Sequence, residues 1–178
     1  MVYLFLADGF EEMEAIVPLD ILRRADVAVQ TVGIAGKETT GAHGITLLSD
    51  MTIDAGDFSD AEAVILPGGM PGTTNLKACK RLTDIVMDVA QAGKYVAAIC
   101  AAPSIPGSLG LLKGKKATCF PGFEDQLCGA TVSRQSVVVD GTIVTAKGAG
   151  CAAEFGFALV ELLKGGETAS KLRAAMQF

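Results

Sequence analysis

Short apolar runs alternate with longer amphipathic segments along this chain. The apolar runs predict β-strands at residues 2–7, 27–34, 63–66, 95–99, 116–119, 131–139 and 142–146. Apolar positions at helical spacing predict α-helices over residues 11–25, 75–92, 148 onward and 167–176, with a short helix after Pro103. Because strands and helices alternate, the pattern indicates an α/β fold with a mostly parallel sheet and helices on both of its faces.

The turn-rich segment from residue 36 to residue 60 holds one further predicted strand, at 45–48. No repeat, low-complexity tract or linker interrupts the chain, and 178 residues is an ordinary length for one domain. The sequence therefore predicts a single domain over residues 1–178.

Composition and charge argue against several classes of function. The net charge is −5, from 15 basic and 20 acidic side chains, so nothing favours binding to nucleic acid or acidic membranes. No apolar run approaches the roughly 18 residues that span a bilayer, and the apolar start lacks the basic residues of a signal peptide. Five cysteines without CxxC spacing or a neighbouring histidine argue against a metal site and fit reduced thiols in the cytoplasm.

Two glycine-rich segments resemble cofactor loops but lack what each cofactor needs. The loop at residues 67–72 (PGGMPG) is not followed by the Gly-Lys-Ser/Thr of a phosphate-binding loop. Residues 148–153 (GAGCAA) match the dinucleotide-binding pattern, but no strand with an acidic residue follows about 20 positions later. We therefore expect no cofactor, and we interpret these glycines as sites of turns and close packing.

Cys100 stands where a predicted strand runs into small residues and then a helix, the pattern of a nucleophile elbow. Amides at such a helix start lower the pKa of a thiol, so we expect a reactive thiolate. The loop with Gly68 and Gly69 follows the preceding strand and is expected to border the same crevice, where its amides and that of Ala101 hold an oxyanion. The alternative is a buried cysteine that only fills the core.

Three glutamates, Glu11, Glu12 and Glu14, lie where the first helix begins. A carboxyl that faces the crevice would hold or exchange a proton beside a thiolate. The alternative is that all three interact only with the helix dipole.

A set of motifs spread from end to end carries a family resemblance. The motifs lie at residues 7–14 (ADGFEEME), 23–25 (RRA), 65–69 (ILPGG), 97–103 (AAICAAP), 140–141 (DG) and 148 (G). Together they resemble the ThiJ/PfpI superfamily, and within it the branch of the parkinsonism-associated protein deglycase and its bacterial relatives.

The resemblance implies a flavodoxin-like three-layer sandwich that usually forms a homodimer. Carried onto matching positions, it makes Cys100 the nucleophile and Glu14 its hydrogen-bonding carboxyl. It also implies that the Gly69 and Ala101 amides form the oxyanion pocket and that Arg24 lies close to the dimer contact.

The sequence departs from the family in its histidines. Peptidase-like members need a histidine beside or downstream of the nucleophile, but Ala101 follows Cys100 and the single histidine is His43. A Cys–His triad and a peptidase are therefore excluded. The deglycase branch often has a histidine where this chain has Phe120. His43 is expected either to be a solvated turn residue or to approach a partner's site across a dimer.

Three further substitutions alter the expected rim of the site. Lys147 and Ala149 replace the more familiar arginine and proline, and Cys151 stands where a threonine is common. We expect Cys151 to lie near Cys100.

The resemblance leads to three hypotheses of function. The first is a cofactor-free glyoxalase or deglycase that acts on methylglyoxal, glyoxal or early glycation adducts through a Cys100 hemithioacetal, with Glu14 transferring the proton. The second is a redox sensor or stress-responsive chaperone that works through oxidation of Cys100 to the sulfinic acid. The third is a homologue that has lost activity with the histidine at position 120.

Overall fold

Eleven β-strands and six α-helices alternate along the computed structural model, which describes residues 1–178. The strands are β1 (Val2–Leu6), β2 (Val29–Gly33), β3 (Glu38–Thr40), β4 (Thr46–Leu48), β5 (Met51–Thr52), β6 (Ala63–Leu66), β7 (Tyr95–Ile99), β8 (Lys116–Ala117), β9 (Thr131–Val132), β10 (Val137–Asp140) and β11 (Ile143–Ala146). The helices are α1 (Glu12–Arg24), α2 (Gly72–Ala78), α3 (Lys80–Gln91), α4 (Ser104–Ser108), α5 (Ala152–Lys164) and α6 (Gly166–Ala175).

Seven strands form the central sheet, in the order β10-β11-β7-β6-β1-β2-β5. Every neighbouring pair is parallel except β10 with β11. That pair is antiparallel because only Gly141 and Thr142 join its strands, and a parallel pair would need a crossover of a dozen or more residues. The prediction of a mostly parallel α/β sheet is confirmed.

Both faces of the sheet are covered by apolar side chains, as the apolar run of β1 shows. Its even-numbered residues, Val2, Leu4 and Leu6, pack into a core that contains residues of α1 and α5. The intervening Tyr3 and Phe5 pack on the other face, into a core that contains residues of α3 and α4. Successive side chains of a strand point to opposite faces, so the continuous apolar run produces the predicted three-layer sandwich.

The predicted helix over residues 75–92 is wrong in its extent, because the structure has two helices there. The first, α2, begins earlier, at Gly72, and the backbone of Cys79 is extended (φ −76°, ψ 100°) between α2 and α3. Leu82, Val86 and Val89 are buried as their spacing predicts, whereas Cys79 is only half-buried. The apolar spacing therefore continues through a break that it does not reveal.

Three predicted strands also change their limits. The segment 131–139 forms two strands, because β9 pairs with β8 in a separate small sheet while β10 pairs with β11. The strand predicted at 116–119 is limited to β8, and the strand predicted at 45–48 becomes β4, which forms a hairpin with β3.

The carboxyl ends of β1, β6, β7 and β11 lie side by side at one edge of the sheet. In an open parallel sheet this is the edge at which ligands bind. The start of α1, the loop from β6 to α2 and the turn after β7 meet there. No helix is both long enough and apolar enough to cross a bilayer.

Candidate active site

Cys100 occupies a sharp turn directly after β7. Its φ is +66°, in the left-handed region that residues other than glycine rarely adopt. The turn is fixed by two backbone hydrogen bonds, from the Cys100 N–H to Ala146 (2.9 Å) and from the Phe120 N–H to the Cys100 carbonyl (2.8 Å). This is the backbone of a nucleophile elbow, and it leaves Cys100 half-buried at the edge of the sheet.

Glu14 lies in the first turn of α1 and is almost fully buried, with 1% of its surface exposed. The carboxylate of Glu11 caps the helix by accepting a hydrogen bond from the Glu14 N–H (2.8 Å). Oε2 of Glu14 accepts a hydrogen bond from the Gly68 N–H (2.8 Å), whereas Oε1 is buried without any hydrogen-bond partner. Because nearly all buried polar atoms are paired, the free oxygen is the most unusual atom of the site.

Gly68 lets Glu14 and Cys100 meet. A Cβ at position 68 would lie 2.6 Å from the Cys100 Cβ, 2.6 Å from Oε2 of Glu14 and 3.0 Å from the Ile99 carbonyl. These contacts are far inside van der Waals distance, so any side chain at this position would separate the carboxyl from the thiol. Gly68 thus acts on the site through its N–H and through the absence of a side chain.

The backbone amides of Gly69 and Ala101 interact with the Cys100 thiol and favour its charged form. Gly69 adopts a φ of +86°, and a Cβ there would lie 2.4 Å from the Glu11 nitrogen. Glycine is therefore required both by the backbone conformation and by the close approach of the first loop. Both amides act on the thiol, and their role as an oxyanion pocket stays a prediction of the resemblance.

Glu14 and Cys100 shift each other's ionisation. Burial raises the pKa of Glu14 to about 7, although the thiol and the Gly68 amide oppose the change. Burial and then the charge of Glu14 raise the pKa of Cys100 to about 12, and the Gly69 and Ala101 amides only reduce this effect. Between these values the pair holds one proton and one negative charge.

The expected lowering of the Cys100 pKa by a helix start is wrong. The helix that follows, α4, has five residues and begins only at Ser104. Burial and Glu14 outweigh the two nearby amides. Near neutral pH a thiolate forms here when Glu14 takes the thiol proton. The reactivity of Cys100 therefore depends on Glu14.

Phe120 covers the outer side of the site and is 47% exposed. A Cβ on Gly148 would lie 3.2 Å from the Phe120 ring and 3.9 Å from Oε1 of Glu14, so the ring and the free oxygen both border Gly148. A cleft of about 370 Å³ opens beside them, bordered also by Cys151. The Cys151 thiol contacts the backbone of Gly148 and Ser136, which gives it a structural role in that turn.

His43 pairs with Glu12 and not with Glu14 or Cys100. Its Nδ1 lies 2.7 Å from Oε2 of Glu12, and its backbone N–H donates to Oε1 of the same residue (2.7 Å). Glu12 and Glu14 are two positions apart on α1 and so point to different sides of the helix. His43 itself is exposed, and its hydrogen bond to Glu12 raises its pKa.

The side chains of Glu11, Glu12 and His43 are the group whose donor atoms lie close enough together to hold a metal ion, within 4.8 Å of one another. Both oxygens of Glu12 already accept hydrogen bonds or pair with His43. The sequence did not indicate this pairing, because it depends on the β3–β4 turn folding against α1.

Arg24 lies away from the site. It is ten positions beyond Glu14 on α1, about 15 Å along the helix axis at 1.5 Å per residue. Its Nε donates a hydrogen bond to Asp20 (2.7 Å), and both side chains are exposed.

Comparisons with known proteins agree on one family. Residues 1–162 match the DJ-1/PfpI family. The chain is 41% identical over 169 residues to DJ-1 homolog B of Arabidopsis thaliana, covering 92% of this chain and 38% of that protein. It is 33% identical over 150 residues to a deglycase of Pyrococcus horikoshii, covering 83% and 90% of the two chains.

Solved structures give the same result. Oxidized DJ-1 of Toxoplasma gondii superposes with a TM-score of 0.95 at 32% identity and covers 99% of this chain and 97% of that one. The chain spans less than half the length of the two Arabidopsis relatives, 38% and 45%.

We expect the stability of the wild type to fall more steeply with rising pH than that of Glu14→Gln. Folding raises the pKa of Glu14 from 4.5 to about 7, so the stabilisation of the protonated carboxyl is present below pH 4.5 and is lost as pH rises through about 7. At about 1.4 kcal/mol per pKa unit, the wild type should lose about 3 kcal/mol more than the variant between pH 5 and pH 8. Urea denaturation at both pH values measures this difference.

The matched control is Glu161→Gln, which alters an exposed glutamate on α5 and should follow the wild type. Parallel curves for Glu14→Gln and the wild type would contradict the raised pKa.

Proposed function

The chain belongs to the DJ-1/PfpI family, and on that premise we propose that it is a cysteine-dependent, cofactor-free glyoxalase or deglycase. Its substrates would be methylglyoxal, glyoxal or early glycation adducts. The observation that carries the proposal is the free Oε1 of Glu14, a buried carboxylate oxygen without a partner beside a nucleophile elbow. Such an oxygen is available to take a proton from a substrate.

The reaction begins with the proton that the pair shares. When Glu14 takes the proton from the thiol, the Cys100 thiolate attacks the aldehyde carbon of the α-oxoaldehyde. A C–S bond forms, and the electrons of the C=O bond move to the oxygen. The amides of Gly69 and Ala101 stabilise the oxyanion until Glu14 returns the proton to it. The product of this step is a hemithioacetal.

The second step moves hydrogen between adjacent carbons. Glu14, now a carboxylate, removes the proton from the former aldehyde carbon. The electron pair forms the C=C bond of an enediolate, and the proton of the hemithioacetal hydroxyl passes to the neighbouring ketone oxygen. The same carboxyl then delivers the proton to the neighbouring carbon. One carbon is oxidised to a thioester and the other is reduced to an alcohol, so no external oxidant is required. A carboxyl with a pKa of about 7 suits both directions of transfer near neutral pH.

Water completes the cycle. It attacks the thioester carbon, the C–S bond breaks, and the thiol of Cys100 recovers its proton. The net reaction adds one water molecule to the α-oxoaldehyde and gives a 2-hydroxy acid, which is lactate from methylglyoxal and glycolate from glyoxal.

The same hemithioacetal supports action on early glycation adducts, which are α-oxoaldehydes already added to an amine or thiol. The likeness to a deglycase of Pyrococcus horikoshii favours this version. In that case the Cys100 thiolate would form its C–S bond at the adduct carbon while the bond to the amine or thiol breaks. The amine or thiol would leave with the proton that Glu14 took from Cys100, and the same hemithioacetal would remain.

A second candidate function is redox sensing through Cys100. One relative, DJ-1 of Toxoplasma gondii, is known in an oxidized form. The amides of Gly69 and Ala101 would hold the oxygens of a sulfinate as they hold an oxyanion. The raised pKa of Cys100 opposes this role, because peroxide attacks the thiolate and not the thiol.

The five free cysteines support the reducing, cytoplasmic compartment that the sequence predicts.

We further propose that the chain forms a homodimer through α1 and the β3–β4 hairpin. Four large apolar side chains are exposed there: Met13 (52%), Ile16 (36%), Ile45 (51%) and Leu48 (72%). The hairpin turn is tied to α1 through Glu12, so the two elements form one surface. In a symmetric dimer the same surface occurs on both subunits, and an apolar patch can then cover itself.

We expect the wild type to convert methylglyoxal to lactate without glutathione, and Cys100→Ser to produce none. Glu14→Gln should lower kcat by about 10²–10⁴-fold, because glutamine cannot carry the proton. Lactate is quantified by chromatography over time.

Cys128→Ser and Glu161→Gln are the matched controls, since both residues are exposed and far along the chain from the elbow. Lactate formation by Cys100→Ser would refute the cysteine-dependent mechanism.

For the second candidate, mild peroxide should place most of the added oxygen on Cys100, as mapped by peptide mass spectrometry. In Glu14→Gln this preference should disappear, because no carboxylate remains to take the thiol proton. Equal oxidation of the five cysteines in the wild type would count against the redox role.

For the dimer, sedimentation should give the wild type twice the 18.3 kDa mass of the chain. A charge at the patch, in Leu48→Asp, should shift the species to a monomer by placing an unpaired carboxylate in the contact. Val132→Asp, at an exposed valine on β9, should stay dimeric. A wild type that sediments as a monomer at all concentrations would refute the proposal.

A further inference from the structure

The ring of Phe120 is an exposed aromatic group at the mouth of the site, and the catalytic mechanism does not use it. Single exposed apolar side chains are common on protein surfaces, but this ring also lines a cleft beside the Glu14 carboxyl. The cleft, of about 370 Å³, lies within the size range of small-molecule pockets. Beside the ring it is lined by Pro121, Ala149 and Cys151, by the glycines at 148 and 150, and by the polar Ser136 and Lys147.

Gly148 lines the cleft and also borders the Glu14 carboxyl. A Cβ on Gly148 would lie 3.2 Å from the Phe120 ring and 3.9 Å from Oε1 of Glu14, so the ring and this oxygen lie close to the same point. The backbone of Phe120 is also fixed to the elbow by its hydrogen bond to the Cys100 carbonyl. A substrate held by the thiol and by Oε1 would therefore extend its remaining substituent toward the ring.

The two smallest substrates leave this cleft empty. Glyoxal has a hydrogen atom at the position of the substituent, and methylglyoxal has one methyl group. An aryl group would fill the cleft and stack against or beside the Phe120 ring, with removal of apolar surface from water.

We propose that Phe120 and its cleft form a subsite for aryl-sized apolar substituents, which makes aromatic α-oxoaldehydes the preferred substrate class. This inference rests on the proposed function. Phenylglyoxal represents the class, and the balanced reaction is phenylglyoxal plus water to mandelate, by the same hemithioacetal and proton transfers. A polar imidazole at position 120 would remove the apolar wall.

Kinetics tests the preference directly. We expect kcat/KM of the wild type for phenylglyoxal to exceed that for methylglyoxal by about tenfold or more, with glyoxal the poorest substrate. In Phe120→Ala and Phe120→His the ratio of phenylglyoxal to methylglyoxal should fall about tenfold, while kcat/KM for glyoxal changes little. Phe178→Leu, at an exposed phenylalanine at the end of the chain, should retain the wild-type ratio. An unchanged ratio in both Phe120 variants would overturn the proposal.

A binding measurement separates this proposal from the proposed reaction. Mandelate and lactate share the hydroxyl and carboxylate and differ only in phenyl against methyl. By calorimetry on Cys100→Ser, mandelate should bind about tenfold more tightly than lactate, and Cys100→Ser with Phe120→Ala should lose the difference. Tight mandelate binding without turnover of any α-oxoaldehyde in the wild type would refute the reaction and support the subsite. Equal binding of the two acids would refute the subsite.

Discussion

The contact between a buried carboxyl and a buried thiol governs the rest of this site. Neither group ionises readily where it lies, because burial raises the pKa of both. The free-energy cost of burying them is reduced because the pair carries only one negative charge. The amide of Gly68 donates to the carboxyl, and those of Gly69 and Ala101 interact with the thiol. The arrangement leaves one oxygen of Glu14 without a hydrogen-bond partner, and the proposed proton transfers depend on this oxygen.

The fold produces this contact by bringing three segments of the chain to one edge of a parallel sheet. The elbow comes from β7, the carboxyl from the helix after β1, and the amide donors from the loop after β6. Each piece is held by backbone contacts rather than by long side chains, as the cap from Glu11 and the close approach at Gly69 show. Phe120 then adds an exposed aromatic ring beside this polar pair.

The features that sequence analysis found are those encoded locally. The apolar runs gave the sheet, and the strand-to-helix junction with small residues gave the elbow at Cys100. The direction of the thiol pKa was not predictable, because it depends on burial and on a carboxyl that is distant in the chain. Sequence analysis did not predict the break at Cys79 or the pairing of His43 with Glu12. Neither feature follows from the spacing of residue types along the chain.

A hydrogen bond joins Glu14 and Gly68, which are 54 residues apart in the sequence. Cys100 contacts both from a third segment of the chain. A site of this kind has a high contact order, so it cannot assemble in a fragment or survive partial unfolding that detaches α1. The Cys100 thiol keeps its raised pKa and its neighbouring carboxyl only while the whole edge of the sheet is intact. The ionisation of this one cysteine therefore differs between folded and unfolded molecules, and it reports the fraction of the chains in which the sheet is complete.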